Sequence, residues 1–218
     1  MLQVLKFNGK DDQIWFSSDY HWNHDPQWGT PIWKLRGFSS IQESNEYIIN
    51  KTNELIKPND IFIHVGDLTL NTTEEKFETF IDRINCQNIF SMHGNHPNPS
   101  AKIYKKQIEL QFKIDSEKHE IYPLKYKNIT FLPNYVEFII NRQFIVACHY
   151  PISIFNHQAR LGWHITGHSH HAFNGSLPSN KQGKICDIGF DGFKRPINFG
   201  ELRQIMNEKE YVKVDGHH

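Results

Sequence analysis

Predicted strands that end in potential metal ligands constrain this sequence more than any other feature. Short apolar runs at residues 13–17, 60–65 and 88–92 predict strands, and capped stretches at residues 40–56 and 72–84 predict helices between them. Such alternation predicts a largely parallel sheet with helical crossovers. Because α/β sheets bind ligands at the carboxyl ends of their strands, we expect the residues that follow these strands to lie together.

Those residues form short motifs that are rich in carboxylate, imidazole and amide groups. The set comprises Asp19 and His21, Asp67 after Gly66, Asn95 and His96 after Gly94, His149, and His168 and His170 after Gly167. This mixture of donors suits divalent ions such as manganese, iron, zinc and nickel. In an extended D-x-H or H-x-H pair both side chains point to the same side, so each pair is predicted to act as a clamp. Each motif alone is common in loops, and it is the ordered set that indicates metal binding.

The second half of the chain has a different pattern. Short β runs with close turns are predicted at residues 121–127, 129–132, 135–140, 143–148, 163–166 and 184–188. They favour an antiparallel or mixed second sheet, and Asn198 is predicted to cap a last helix. We therefore predict one domain over residues 1–218, with two sheets and helices outside them. Residues 216–218 have the composition of a purification-tag remnant.

Charge and hydropathy argue against several classes of partner. Lys plus Arg and Asp plus Glu number 24 each, so the zero net charge provides no general attraction to nucleic acid or to an anionic membrane. No run approaches the ~18 apolar residues of a membrane span, and the first residues lack an apolar secretory segment, so a cytoplasmic location is expected. The scattered cysteines Cys86, Cys148 and Cys186 are expected to be free thiols. The oligomeric state is not constrained by the sequence.

In their order, the motifs SDYH, GDL, GNH, CHYP and GHSH resemble those of the calcineurin-like metallophosphoesterases, and more loosely those of the compact bacterial and phage members. The resemblance implies a four-layer α/β/β/α sandwich of two mixed sheets flanked by helices. It also implies two divalent metals, with manganese as the expected ion and iron, zinc or nickel as alternatives. The implied ligands are Asp19, His21 and His170 for the first metal, Asn95, His149 and His168 for the second, and Asp67 as the bridge.

The resemblance further implies a phosphate ester as substrate, with His96 as proton donor or phosphate ligand. A phosphodiester is favoured, since the short chain leaves little sequence for a cap over the site. A hydroxide that bridges the two metals is the expected nucleophile, because paired cations lower the pKa of a shared water. The alternatives are a phosphomonoesterase acting on a nucleotide or phosphoprotein, a nuclease, and a non-catalytic metal-binding scaffold of the same fold.

One position departs from the family pattern. The GNH motif is usually followed by an acid, whereas this chain has Pro97 there. Such an acid would orient the ring of the preceding histidine, so His96 is expected to be oriented by another group.

Further residues are candidates on weaker grounds. His24, Arg36 and Arg160 are candidate substrate-binding residues, Arg36 because a guanidinium can bind phosphate through two hydrogen bonds. His157 and His164 are minor candidates for lining the cleft, whereas His64 and His93 are expected to be packed and hydrogen-bonded in the core.

Overall fold

The computed structural model describes residues 4–70, 72–96, 124–171 and 183–211. Its α-helices are α1 (Ile32–Leu35), α2 (Ile41–Leu55), α3 (Glu74–Arg83), α4 (Phe190–Phe193) and α5 (Phe199–Glu208). Its strands are β1 (Val4–Phe7), β2 (Ile14–Ser17), β3 (Ile61–His64), β4 (Asn88–Ser91), β5 (Leu124–Tyr126), β6 (Ile129–Phe131), β7 (Tyr135–Ile140), β8 (Gln143–Cys148), β9 (Trp163–Thr166), β10 (Ile185–Asp187) and β11 (Ile197–Asn198). Short 3-10 helices cover Asp11–Gln13 and Gln158–Arg160.

The described strands form two mixed sheets, as expected. One has six strands in the order β11-β2-β3-β4-β6-β5, in which the two edge strands are antiparallel to their neighbours and the others are parallel. The other has five strands in the order β1-β7-β8-β9-β10, in which the β7–β8 pair is antiparallel. The parallel runs β2-β3-β4 and β8-β9-β10 each place their carboxyl ends at one edge, where the predicted ligands follow.

The main apolar core lies between the two sheets. Phe16 and Ile63 of the six-stranded sheet share one fully buried cluster with Phe138, Ile145 and Ile165 of the five-stranded sheet. Side chains one position further along each strand point to the opposite face. The buried cluster therefore fixes the sheets face to face, as in a sandwich.

Helices α2 and α3 cover the outer face of the six-stranded sheet. Ile48 from α2 and Phe77 and Phe80 from α3 cluster with Phe62 and Ile89 from the strands. Together with the core between the sheets, this packing confirms an α/β sandwich of two mixed sheets with helices.

Fewer of the described residues cover the outer face of the five-stranded sheet. Phe155 packs there on Val146 and Ile185, just before the second 3-10 helix. Helix α5 instead inserts Leu202 and Met206 into the core between the sheets. Among the described residues, the two longest helices that cover a sheet therefore lie on the six-stranded side, and α5 packs its apolar side chains against the core between the sheets.

Side-chain caps begin helices α2, α3 and α5 at or near the predicted positions. Ser40 caps α2, as predicted, by accepting a hydrogen bond from a backbone amide in the first turn. The cap of α3 is Thr73 rather than the predicted Thr72, because the hydroxyl of Thr73 accepts the first-turn amide. Asn198 and Glu201 form the reciprocal capping box predicted for α5.

The predictions about membrane spans and cysteines can also be compared with the structure. In the described part of the chain, no helix is long and apolar enough to cross a bilayer. Cys86, Cys148 and Cys186 are free, as expected. Pro97 and residues 216–218 lie outside the described residues.

Candidate metal centre

Backbone hydrogen bonds align the ligand motifs that follow β2, β3 and β4. The Asp19 amide donates to the Gly66 carbonyl at 3.0 Å, and the His21 amide donates to the Asp67 carbonyl at 2.9 Å. The Asp67 amide in turn donates to the His93 carbonyl at 3.1 Å. These bonds continue the pairing of the parallel strands past their ends, so the motifs lie side by side, as expected.

A second contact adds ligands from the five-stranded sheet. The His168 amide donates to both carboxylate oxygens of Asp19, at 3.1 and 3.0 Å, and holds the loop after β9 against the loop after β2. Asp19, His21 and His170 then present ligand atoms that all lie within 4.8 Å of one another. These three residues are the ones predicted for the first metal.

Asp67 lies between this group and a second one. Its Oδ2 is 3.8 Å from Nε2 of His21 and 3.3 Å from Nε2 of His149. The Oδ1 atom of Asn95 is 2.7 Å from His149 Nε2 and 2.9 Å from His168 Nδ1. The residues predicted for the second metal therefore converge beside Asp67, which contacts both groups.

Two histidines show that these groups suit a cation. His21 is 4% exposed, yet neither of its ring nitrogens has a hydrogen-bond partner among the described residues, which is costly for a buried polar group. His149 presents Nδ1 to the Val65 carbonyl at 2.8 Å and Nε2 to oxygens of Asn95 and Asp67. A neutral imidazole has a single N–H, so it cannot satisfy acceptors at both nitrogens. A cation at Nε2 would remove this conflict in His149 and would give Nε2 of His21 a partner, so the residues fit a metal.

Burial and charge favour the metal-binding protonation states of Asp19, Asp67 and His21. Burial raises the pKa of Asp19 to about 6, although the nearby His149 and His170 lower it. Burial also raises the pKa of Asp67, but the hydrogen bond and charge of His149 and the charge of His21 outweigh it and bring the pKa to about 2. Burial lowers the pKa of His21 well below its usual value. At pH 7 these three residues therefore have the forms that bind metals.

In contrast, the hydrogen bond to Asp191 raises the pKa of His170. Burial lowers the pKa of His149, but its hydrogen bond to Asp67 outweighs burial, so that the pKa is raised. A cation at these two ligands would replace a proton.

The backbone at the ligands is not extended, which corrects the predicted clamp geometry. Left-handed φ angles occur at Asp19 (55°), His21 (47°), Asp67 (55°), His168 (67°) and His170 (49°). These residues lie in turns beyond the strand ends, so the two-residue periodicity of a strand does not orient their side chains. Left-handed conformations of residues other than glycine are strained and cluster at functional sites.

Two glycines leave room for the carboxylates. Gly94 has a φ of 83°, and a Cβ atom built on it would lie 2.1 Å from Asp67 Oδ1. A Cβ atom on Gly167 would lie 2.0 Å from Ser18 Oγ and 2.4 Å from Asp19 Oδ2. Any side chain at these positions would displace a ligand or its neighbour.

Carboxylates at and after the end of β10 support the site and were not predicted. Asp187 accepts hydrogen bonds from the Ser169 hydroxyl and the His171 amide in the loop after β9. Asp191 accepts a hydrogen bond from His170 Nδ1 at 2.6 Å. They reach the site because β10 is parallel to β9 and its carboxyl end lies at the same edge of the sheet.

Two predicted residues border the ligand groups. His96 has its Nε2 atom 3.8 Å from Asp67 Oδ2, and its side chain is 41% exposed. The ring of His24 lies 6.0 Å from that of His21, and its Nδ1 accepts a hydrogen bond from the Ile32 amide at 3.2 Å. His96 is therefore accessible at the edge of the site, and His24 lies at its margin.

The two candidate arginines do not face the ligand groups. The side chain of Arg36 is 1% exposed and forms a salt bridge with Asp191 at 2.8 Å, so its guanidinium is engaged by the protein. Arg160 is exposed, and the turn that follows it bonds to Gln143 at the start of β8. His149 follows the opposite end of that strand. The geometry therefore does not support substrate binding by either arginine.

Three other histidines pack within the fold. His157 stacks on Phe144 with ring centroids 3.8 Å apart, and His164 is fully buried with its Nδ1 3.0 Å from the Val146 carbonyl, so neither lines the cleft. His64 is packed in the core, as expected. Neither of its ring nitrogens has a hydrogen-bond partner within the described ranges, which differs from the expectation.

Comparisons with known proteins give the fold a precedent. No family model matches the chain. An uncharacterized protein of Methanocaldococcus jannaschii is 31% identical over 87 residues, which cover 38% of this chain and 46% of that protein. The crystal structure of a protein of unknown function from Aquifex aeolicus matches with a TM-score of 0.61 at 16% identity, over 88% of this chain and 98% of that one. The chain thus spans less than half the length of that curated relative, and it shares its fold with a solved structure.

Proposed function

We propose that this protein is a calcineurin-like metallophosphoesterase that hydrolyses a phosphodiester with two divalent metal ions. The placement of Asp67 between two groups of ligands carries this proposal. Its Oδ2 atom lies within 3.8 Å of His21 Nε2 on one side and 3.3 Å of His149 Nε2 on the other. A pair of cations needs such a shared carboxylate, because it reduces their mutual repulsion.

The remaining ligands divide between the two positions. The first ion would be held by Asp19, His21 and His170, and the second by Asn95, His149 and His168. When bound, the pair supplies Lewis-acid stabilisation of the phosphoryl group and activates water. Imidazole-rich donors favour manganese, iron, zinc or nickel over the alkaline-earth ions, and manganese is the ion we expect.

His96 is the residue that we propose to donate a proton. Its accessible ring lies 5.2 Å from the ring of His21, at the edge of the ligand groups. The alkoxide that leaves from a diester needs a proton, and an imidazole can supply it near neutral pH.

An exposed aromatic ring beside the site favours a substrate with a planar group. Tyr150 is 49% exposed, and its ring lies 4.6 Å from the ring of His168. Aromatic side chains stack on nucleobases in a sequence-tolerant manner, so a nucleotide-containing diester is the form that we favour. A phosphomonoesterase acting on a nucleotide and a metal-binding scaffold without turnover are the alternatives.

The substitution Asp67→Asn tests the proposal, because it keeps the shape of the shared ligand and removes its charge. Wild-type protein, stripped with a chelator and reloaded with Mn²⁺, should cleave bis(p-nitrophenyl) phosphate faster than p-nitrophenyl phosphate. Asp67→Asn should lose turnover and retain fewer than two Mn²⁺ ions per chain. The measurements are p-nitrophenol release and metal analysis after dialysis. Asp82→Asn, at an α3 carboxylate paired with Lys127, is the matched control.

Each outcome separates the candidates. Faster cleavage of the monoester would favour the phosphomonoesterase, and two bound ions without turnover of either ester would favour the scaffold. Full activity in chelator, or a normal rate with two ions in Asp67→Asn, would contradict the ligand assignment.

A further inference from the structure

A partly buried arginine–aspartate pair lies directly behind the first metal position. Arg36 donates from Nε and Nη2 to the two carboxylate oxygens of Asp191, at 2.8 and 2.9 Å. It also donates to the carbonyls of Tyr20 and Asp19, at 2.7 and 2.6 Å. This fork geometry is the strongest form of arginine–carboxylate contact. Arg36 therefore holds Asp191 in place and ties it to the backbone of the motif that follows β2.

Asp191 in turn orients a proposed metal ligand. Its Oδ2 atom accepts a hydrogen bond from Nδ1 of His170 at 2.6 Å. A carboxylate at Nδ1 keeps the proton on that nitrogen, orients the ring and makes Nε2 a stronger electron-pair donor. His170 belongs to the group with Asp19 and His21, so the effect falls on the first metal position.

The second position lacks such a support among the described residues. Nδ1 of His149 faces the neutral carbonyl of Val65 at 2.8 Å. His168 and Asn95, the other two ligands assigned to this position, are exposed. The two positions therefore differ both in burial and in the charge behind their histidines.

We propose that Asp191, held by Arg36, is a positioning residue for His170 that raises the affinity of the first metal position relative to the second. This inference rests on the proposed function, because it assumes that the two ligand groups hold metals. It assigns to Arg36 an indirect role and not the phosphate contact for which it was a candidate.

Calorimetric titration of the metal-free full chain with Mn²⁺ tests the inference. Wild type should bind two ions in two steps. Asp191→Asn, which retains an acceptor oxygen but loses the charge, should weaken one step by about 10–100-fold and leave the other unchanged. Arg36→Lys, which keeps a positive charge but not the fork, should weaken the same step by less. The control is Asp11→Asn, because Asp11 forms a similar two-bond pair with Arg203 at the opposite end of β2.

The thermal midpoint of each metal-free variant shows whether it is folded. If Asp191→Asn does not fold, the test is made with Arg36→Lys. Two wild-type steps with unchanged affinities in the variants would overturn the positioning role and leave the proposed function standing. Equal weakening of both steps would also overturn it, because a general loss of structure explains that result. No Mn²⁺ binding by wild type would overturn the proposed function itself and the inference with it.

Discussion

Among the predicted site residues, His96 combines proximity to Asp67 with an accessible ring. Its amide donates to Asp67 Oδ1 at 3.2 Å, while its side chain is 41% exposed. The backbone bond anchors His96 beside the ligand groups. The residue is therefore placed to meet a substrate without being one of the ligands assigned to either metal.

Replacing His96 tests whether it donates a proton. His96→Ala should slow hydrolysis of diesters with poor leaving groups by ~10²–10⁴-fold, the usual contribution of a general acid. The loss should be much smaller with p-nitrophenyl esters, because that leaving group departs without a proton. Rates for the two substrate classes, with metal content measured alongside, check this expectation. The control is His157→Ala, because His157 stacks on Phe144 near the start of β8, at the end of that strand opposite His149. Equal losses for both leaving groups would point to phosphate binding, and a lost ion would make His96 a ligand.

The sequence could predict which residues meet at the site, but it could not predict their geometry. Asp67 and His149 come within three residues of the ends of largely buried strands, and parallel strands bring such positions together. Asp191 was missed because a single aspartate after a short strand forms no recognisable motif. Arg36 was a candidate for phosphate binding because a sequence shows a charge but not its burial, and here the side chain is 1% exposed.

At the scale of elements, the site depends on contact between the loop after β2 and the loop after β9. The His168 amide binds the Asp19 carboxylate in that contact, and the gap between the loops is as narrow as Gly167 allows. The loops come from different sheets, so their packing sets the distance between the ligands of the first metal.

A methyl group at Gly167 should open this contact. Gly167→Ala places a Cβ atom 2.0 Å from Ser18 Oγ and 2.4 Å from Asp19 Oδ2, so the loop has to move. We expect a loss of about 1–3 kcal/mol in the free energy of unfolding, typical of overpacking, together with weaker Mn²⁺ binding. Denaturant unfolding and calorimetry measure the two effects. In Gly9→Ala, the control, the nearest atom to the new Cβ is 3.8 Å away, an ordinary contact. Similar behaviour of the two variants would contradict the tight packing of the loops.

The element boundaries show which sequence patterns were sufficient to predict a strand. Strands β7, β8 and β9 have the predicted bounds, because each is an apolar or alternating run between clear turns. Strands β1 and β11 were not predicted. The first is only partly buried and contains Lys6, and the second has two residues, so neither has a periodicity that a sequence can reveal.

At the scale of the whole molecule, the ligands come from both sheets of the sandwich. Asp19 and Asp67 follow strands of the six-stranded sheet, whereas His149 and His170 follow strands of the five-stranded sheet. Both proposed positions therefore draw ligands from each sheet. A bound ion would connect the sheets at their carboxyl-end edge, where the apolar core does not extend. Metal binding should then stabilise the entire fold and not only the site.

Thermal unfolding with and without metal tests this coupling. An ion that binds only the folded state, at a free concentration 100-fold above its Kd, adds about 2.7 kcal/mol to the free energy of unfolding. For a chain of this size, such a gain corresponds to an increase in Tm of roughly 5–10 °C per ion. We expect Mn²⁺ to produce this increase in wild type and Ca²⁺ to produce much less, because imidazole-rich sites disfavour alkaline-earth ions. Asp67→Asn should lose most of the increase, since both positions share that carboxylate, whereas Asp82→Asn should retain it. An equal response of the two variants to Mn²⁺ would mean that the ion acts elsewhere on the molecule.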